Sequence, residues 1–570
     1  MKQQHILAIA VTFFTVVQAV AQDKDQDKNK IGTQTVDVVK PYTPTLSDAF
    51  KIKENPSLND SVTTQQKKIN YSIFSVPVAS TFTPAKGKAE VLPKAARESL
   101  YNTYLALGLG NYSNAALDFY HSSAISRDEM FDLSLTHHSS QGGIKDVYLD
   151  DKFFNTKLQA AYRNTSRYSN WGVQGGFQHQ IYNWYGLPAN APISESDMQS
   201  IDPQQTYYNA FVGANLELKD AYFTGGEIFA RQFWDAYGSS ESRAILTPTF
   251  EFPAGDVKVN AGLKVDYING SFDRAYKTEN EIKYSNAIFA VSPSFMLLND
   301  DLKLKLGAEI AYRLDIENSD SDFYIYPDVS VYYNLVDEYV NVYGGVKGGL
   351  IQNSYYDFVQ NNQFVSPTLN VMPTDKQYNA YVGVKGKFIP SVSFNLKGSY
   401  MAENDKVLYQ NHVLTSTRNE NYKFGNSYDV IYDDVKTLNI FGEIGVDVSR
   451  NFSLGVNATI ADYSTDAQPE AWNLPTISGS LFSDFQIGEK WYGGVNLFYV
   501  GERKDISTNN QVMTLDSYFD ANAHIGYHIN KQLSAFLKAN NIGGTEYFRW
   551  ENYPVQGFQI LAGASYKFDL

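Results

Sequence analysis

The chain has eight histidines and no cysteine, so metal or nucleophile chemistry could arise in only a few places. His524 and His528 fall on one face of an alternating segment. Four positions along a strand separate them by roughly 13 Å at 3.3 Å per residue, too far to hold one metal ion. They read as two polar residues on a wet face. His137 and His138 are adjacent in another alternating run and therefore point to opposite faces. Asp315, Glu317, Asp320 and Asp322 could attract calcium, but the glycine turn of a calcium loop is missing. A solvated acidic loop is the better reading. No Gly-x-Ser-x-Gly elbow, phosphate-binding loop or paired-carboxylate cleft stands out. The sequence thus points away from an enzyme, and it offers no catalytic residue, metal site or cofactor. A net charge of −15 without a basic patch also excludes nucleic acid as the expected partner.

The elements that carry these residues are strands. In the last thirteen residues Phe558, Ile560, Ala562, Ala564, Tyr566, Phe568 and Leu570 share one face. Gln559, Gly563, Ser565, Lys567 and Asp569 share the other, with Leu561 the exception. Side chains alternate with period two along a strand, so one face is apolar and one is wet. Leu302 to Leu314 repeats the pattern, with Lys303, Lys305, Glu309 and Arg313 on the wet face. Charges at every second position do not suit a sandwich core, but they suit a water-filled lumen.

Connections alternate in length as well. Tight turns are expected near Lys219-Asp220, Ala254-Gly255, Asp300-Asp301, Val336-Asp337, Ile389-Pro390, Ser449-Arg450, Gly488-Glu489 and Asn530-Lys531. Longer loops are expected at Asn183–Gln205, Ser354–Lys376 and Glu403–Val435. Short turns on one side and long loops on the other are the outer-membrane pattern, and about 22 strands fit the remaining length. The 42 tyrosines and 35 phenylalanines suit aromatic belts at two lipid–water interfaces. The fold class is therefore all-β: a transmembrane antiparallel up-and-down β-barrel over residues 99–570, with outer-membrane lipid around it. Phe558, Ile560, Gly563, Tyr566, Phe568 and Leu570 belong to its closing strand.

Residues 1–21 read as a signal peptide, with Lys2, an apolar core and Ala19-Val20-Ala21. The apolar core is too short to span a bilayer. Residues 22–98 are punctuated by Pro41, Pro44, Pro56, Pro77, Pro84 and Pro93, which predicts an extended arm, periplasmic or threading the lumen. Its apolar positions Val36, Val38, Val39, Leu46, Phe50, Ile52, Ile69, Tyr71, Ile73 and Phe74 need burial. Extended backbone is suited to adding a strand to a partner's sheet. A barrel of this size encloses a lumen that side chains cannot fill. The arm, inward-folded long loops or a partner protein could occupy it.

Two passages carry a family resemblance. One is Phe536 to Ile542, then Glu546-Tyr547, Tyr553-Pro554 and the final strand. The other is the long loop with Pro367-Thr368-Leu369-Asn370 and Lys376, followed by Tyr378 and Gly383-Val384-Lys385-Gly386. Together they resemble the barrel of TonB-dependent receptors, of the kind common in Bacteroidota, over about Ser99 to Leu570. Residues 22–98 depart from that family, because they lack a recognisable plug domain. Thr35-Val36-Asp37-Val38-Val39 resembles the family's TonB-contacting box, which implies contact with TonB. Two functions are expected. The first is a structural or accessory subunit of an outer-membrane complex for protein assembly or secretion, with the arm docking outer-membrane or periplasmic proteins. The alternative is an outer-membrane transport channel, porin-like or TonB-linked.

Overall fold

The computed structural model describes residues 101–570, apart from 190–192, 256, 338, 415–418 and 508–509. The signal peptide, the arm with its docking positions from Val36 to Phe74, and the Thr35–Val39 box lie outside the described residues.

The chain enters through β1 (Thr103–Gly110), β2 (Ala115–Ala124), β3 (Glu129–Ser140), β4 (Phe153–Thr165) and β5 (Ser169–Asn183). A loop with the short helix α1 (Glu195–Ser200) leads to β6 (Gln204–Leu218), β7 (Phe223–Asp235), β8 (Ser240–Ala254) and β9 (Val257–Phe272). Then come β10 (Ile282–Leu298), β11 (Leu302–Asp315), β12 (Asp320–Val336) and β13 (Val340–Ile351). Helix α2 (Tyr355–Asn361) precedes β14 (Thr374–Ile389), β15 (Val392–Asn411), β16 (Tyr428–Ser449), β17 (Phe452–Thr465), β18 (Ile477–Ile487) and β19 (Trp491–Val500). A loop hairpin, β20 (Arg503–Ile506) with β21 (Val512–Leu515), precedes β22 (Tyr518–His528) and β23 (Leu533–Asn540). A second, β24 (Phe548–Trp550) with β25 (Tyr553–Pro554), precedes β26 (Gln559–Phe568).

Among the described residues, 22 of these strands form one sheet, each antiparallel to its sequence neighbour, and β26 pairs with β1 to close it. Closure removes every sheet edge, so the backbone satisfies itself inside a bilayer. Leu107, Leu109, Phe289, Val291, Ile310, Tyr312, Leu438, Ile440 and Ile444 are exposed on the outer face. An apolar outside, a polar inside and a closed antiparallel sheet make this an integral barrel of the bacterial outer membrane. The short turns mark the periplasmic end and the long loops the extracellular end.

The seam is stapled at both ends by asparagines of the first strand's flanks. The Asn102 backbone N–H donates to Asp569 Oδ1 at 3.1 Å, and the Leu570 N–H donates to Asn102 Oδ1 at 3.0 Å. Asn111 Nδ2 donates to the Phe558 carbonyl at 2.8 Å and its Oδ1 accepts from the Ile560 N–H at 2.9 Å. Leu561, the exception in the alternation, points inward and is buried. It fills the space that Gly108 leaves, where a Cβ would lie 2.4 Å from its Cδ2. The apolar side chain on the wet face is therefore a packing element of the seam.

One expected loop is corrected. Glu403–Val435 is not all loop, because β15 and β16 run to Asn411 and from Tyr428, leaving 412–427 between them. At 20 and 22 residues both exceed the roughly 9–11 a tilted crossing needs, so this hairpin stands well above the membrane. A register shift between Glu403 and Lys406, with Asp405 at φ 51°, interrupts the period-two pattern there. That bulge, beside Asp433 and Asp434, made strand look like loop.

Candidate functional site

The long loops do not splay outward. They pack on one another in a single buried cluster that includes Trp184, Tyr185, Tyr207, Phe233, Phe272, Tyr276, Tyr355, Phe358, Phe364, Tyr422, Tyr428, Trp550 and Tyr553. These residues come from the loops after β5, β9, β13, β15 and β23 and from the upper ends of the strands below them. Loops this rich in large rings have apolar area to bury, and their neighbours are what they bury it against.

The centre is the segment between β13 and β14. Ser354 caps α2 by accepting from the Asp357 N–H at 3.1 Å. From that start the helix meets the inner faces of strands far across the sheet. Glu241 on β8 accepts from the Tyr355 N–H at 2.6 Å and from the Tyr284 hydroxyl at 2.8 Å. Asp235 at the end of β7 accepts from the Tyr355 hydroxyl at 2.8 Å. Arg243 forks onto Asp266 at 3.0 and 2.9 Å and reaches Asp357 at 3.2 Å. Arg231 lies 3.7 Å from the Tyr356 ring centroid. The Tyr207 hydroxyl donates to the Gln363 carbonyl, and Gln360 donates to Gln180. A segment that leaves β13, returns to β14 and is held by β5 to β10 must cross the mouth of the barrel.

Other loops lock onto it. Tyr553 stacks on Phe364 with centroids 3.6 Å apart, meets Tyr185 edge-on and donates to the Asn426 carbonyl. Phe364 and Ser366 bond to the backbone of Tyr428. His412 stacks on Tyr276 at 3.5 Å and lies 3.2 Å from the Ser366 hydroxyl. Burial, with Lys277 nearby, pushes its pKa down to about 3. Asp505, on β20, accepts from Tyr428, Asn473 and the Asn411 N–H. Burial nonetheless pushes its pKa up to about 6. Glu551 is pushed up to about 7 by burial and then by the charge of Asp505. Arg503 donates to the carbonyls of Phe548 and Arg549, joining the two loop hairpins.

A recess of about 440 Å³ opens in this assembly. Its walls include the rings of Tyr185, Phe364 and Tyr553, the amides of Gln360 and Gln363, and the cations Lys152 and Arg549. Flat rings with convergent amide and cationic groups can hold a polar solute by stacking and hydrogen bonds.

The residues singled out from sequence fall elsewhere. His524 lines a cavity of about 1050 Å³ at the periplasmic end, with Asp484 and Tyr492. His528 stacks on Tyr492 and lies 2.8 Å from the Ser534 hydroxyl. His137 bonds Thr156, and His138 packs edge-on against Phe153. Arg313 pairs with Asp320 and Asp322, while Asp315 accepts from Asn318. Among the described residues no group of three or more potential ligands is placed to hold a metal. Sequence reasoning missed Asp235, Glu241, Arg243 and His412. The signal nearest to them was Ser354 with Asp357 three positions on, an N-cap pattern inside a presumed loop.

Neither a protein-family model nor a protein of curated function matches the sequence. Solved structures match the fold. The pyoverdine outer membrane receptor FpvA of Pseudomonas aeruginosa is similar at 12% identity and TM-score 0.62, over 83% of this chain and 79% of that one. The FrpB iron transporter of Neisseria meningitidis gives 9% and 0.64, over 83% of each chain. The siderophore receptor PirA of Acinetobacter baumannii gives 12% and 0.62, over 83% and 81%. At such identities the likeness is one of fold, and the fold is that of the TonB-dependent-receptor barrel.

Proposed function

We propose that this barrel is an outer-membrane transporter that captures a polar solute at its extracellular loops and admits it when those loops part. The observation that carries this reading is the α2 segment pinned across the mouth by Asp235, Glu241 and Arg243, next to the recess of Tyr185, Tyr553 and Arg549. A scaffold has no need for a ligand-sized recess above a polar lumen. The solved barrels of like fold are receptors and transporters, which supports transport and agrees with reading the chain as a non-enzyme. The accessory-subunit function gives way to this alternative, which the receptors and transporters of like fold support better.

The test is uptake. Cells lacking the protein should lose accumulation of one solute, and the intact chain should restore it. Tyr553→Ala, which removes the stacked wall of the recess, should restore far less at equal membrane abundance. Full uptake in the absence of the protein, together with recovery of the barrel in a stoichiometric complex, would sink the proposal.

A further inference from the structure

Beneath the loops, one sector of the inner wall gathers lysines and tyrosines on adjacent strands. A continuous rung of register partners runs Lys303, Tyr332, Tyr343, Gly383 and Lys397 across β11 to β15. Lys385 lies one inward-facing position away on β14, and Lys347 lies farther up β13. Tyr343 lies flat because Gly383 has no Cβ, which would otherwise sit 2.4 Å from its ring. The Tyr343 hydroxyl is fixed by donation to Asn395 at 2.6 Å. Lys385 Nζ then rests 5.1 Å from the Tyr332 ring and 5.5 Å from the Tyr343 ring, and Lys303 Nζ lies 5.8 Å from Tyr332. Two recesses, of about 230 and 280 Å³, share Lys385. The first holds Lys303, Lys305, Tyr332 and Tyr381, and the second Asn341, Asn395 and Glu443.

The charge balance of this sector is the telling point. Among the described residues, Lys305 is paired with Asp328 at 2.5 Å, whereas Lys303, Lys347, Lys385 and Lys397 have no carboxylate within ion-pair distance. Asp328, the register partner of Lys347, and Glu309 lie higher on the same wall, and Glu443 lies at its edge. In a chain of net charge −15, four unpaired ammonium groups on one wall stand out. Elsewhere inside the barrel Arg243 is neutralised by Asp266, while Lys157 and Lys538 rest singly over the rings of Phe211 and Phe536. Cations lining a low-dielectric cleft focus field and raise the local concentration of anions. Ring faces beneath them keep the ammonium groups extended into the lumen without neutralising them.

We propose that the β11–β15 wall is a binding track for a solute carrying two or more negative charges, as phosphate or carboxylate groups. The inference deepens the transport reading by naming the charge class of the cargo. Binding at the wall can nevertheless be measured without uptake, so the two can fail separately.

The purified full-length protein in zwitterionic detergent is titrated calorimetrically with inorganic pyrophosphate and, separately, with citrate. Binding is expected for at least one, weakening as sodium chloride is raised. The double variant Lys303→Glu/Lys385→Glu should weaken it at least tenfold. Lys531→Glu, at a periplasmic turn, should leave it unchanged, and all three proteins should keep heat-modifiable migration as evidence of a closed barrel. Binding of pyrophosphate alone assigns the track to phosphate, and binding of citrate alone to carboxylate. No binding of either anion, or equal binding by the double variant, would overturn the proposal. Loss of uptake with binding intact would count against the transport reading alone.

Discussion

At the scale of single residues, the cap is held by polar groups that have exchanged water for one another. Asp266 is the clearest case, with its side chain 1% exposed and forked by Arg243. Arg243→Ala leaves that carboxylate with Lys264 at 3.6 Å as its remaining cation. Removing one partner of a buried pair costs about 3 kcal/mol. Backbone hydrogen exchange in 352–373 should accelerate on the order of a hundredfold, since 1.4 kcal/mol is a factor of ten. Two other groups give the cap a pH dependence of opposite signs. The packed pKa of His412 lies below its ordinary value, so its contribution is present above about pH 6.5 and is lost as pH falls toward 3. The packed pKa of Asp505 lies above its ordinary value, so its contribution is present below about pH 4 and is lost as pH rises through 6. After correction for intrinsic rates, exchange in 412–427 should rise on acidification, and His412→Phe should abolish that rise. Exchange in the 501–517 hairpin should rise as pH passes 6, and Asp505→Asn should flatten it. Identical pH profiles in the variants and the parent would refute the assignment.

At the scale of elements, the strands were legible and the loops were not. Period-two alternation comes from lipid on one side and water on the other, so it was written into nearly every crossing, including β26 and its inward Leu561. The tight turns, such as Asp300-Asp301 and Ile389-Pro390, were legible because short periplasmic links tolerate few residue types. The α2 segment was illegible because its partners are far along the chain, as Glu241 is 114 positions from Tyr355 and His412 is 46 from Ser366. No local pattern encodes such a contact. Deleting 353–372 in favour of a short glycine–serine turn should leave the 22-strand barrel closed, because none of its ladders uses those residues. The deletion should raise single-channel conductance in planar bilayers above that of the intact chain; equal conductance would show that this segment does not obstruct the mouth. The seam responds differently. A Cβ at Gly563 would lie 2.3 Å from the Leu107 carbonyl and 2.4 Å from the Phe536 ring. Gly563→Val should therefore lower the temperature at which the barrel loses its folded migration, while Gly398→Val, at a strand position where a Cβ meets nothing within 4 Å, should shift it less.

At the scale of the whole molecule, two kinds of cohesion share one chain. The barrel is a closed ladder of backbone hydrogen bonds, solvated outside by lipid, and it cannot open in part without exposing unpaired N–H and C=O groups to hydrocarbon. The cap sits in water and is held by ring packing and a few buried carboxylates, so opening it exposes its polar groups to water and not to hydrocarbon. Elements that must move for function come from the less stable end of a structure. The cap should therefore unfold as its own unit, well before the barrel. In urea, the cap residues Trp184 and Trp550, both buried in the loop cluster, should report an early transition, while strand circular dichroism and heat-modifiable migration persist to much higher denaturant. Tyr553→Ala removes a ring stacked on Phe364 and in contact with Tyr185 and Tyr428. Truncating a buried aromatic costs about 3–5 kcal/mol, and that loss should fall on the early transition alone. If tryptophan fluorescence and strand signal instead move together in both proteins, cap and barrel are one cooperative body. The loops could then not part ahead of the wall, and gated admission through this mouth would have to be abandoned.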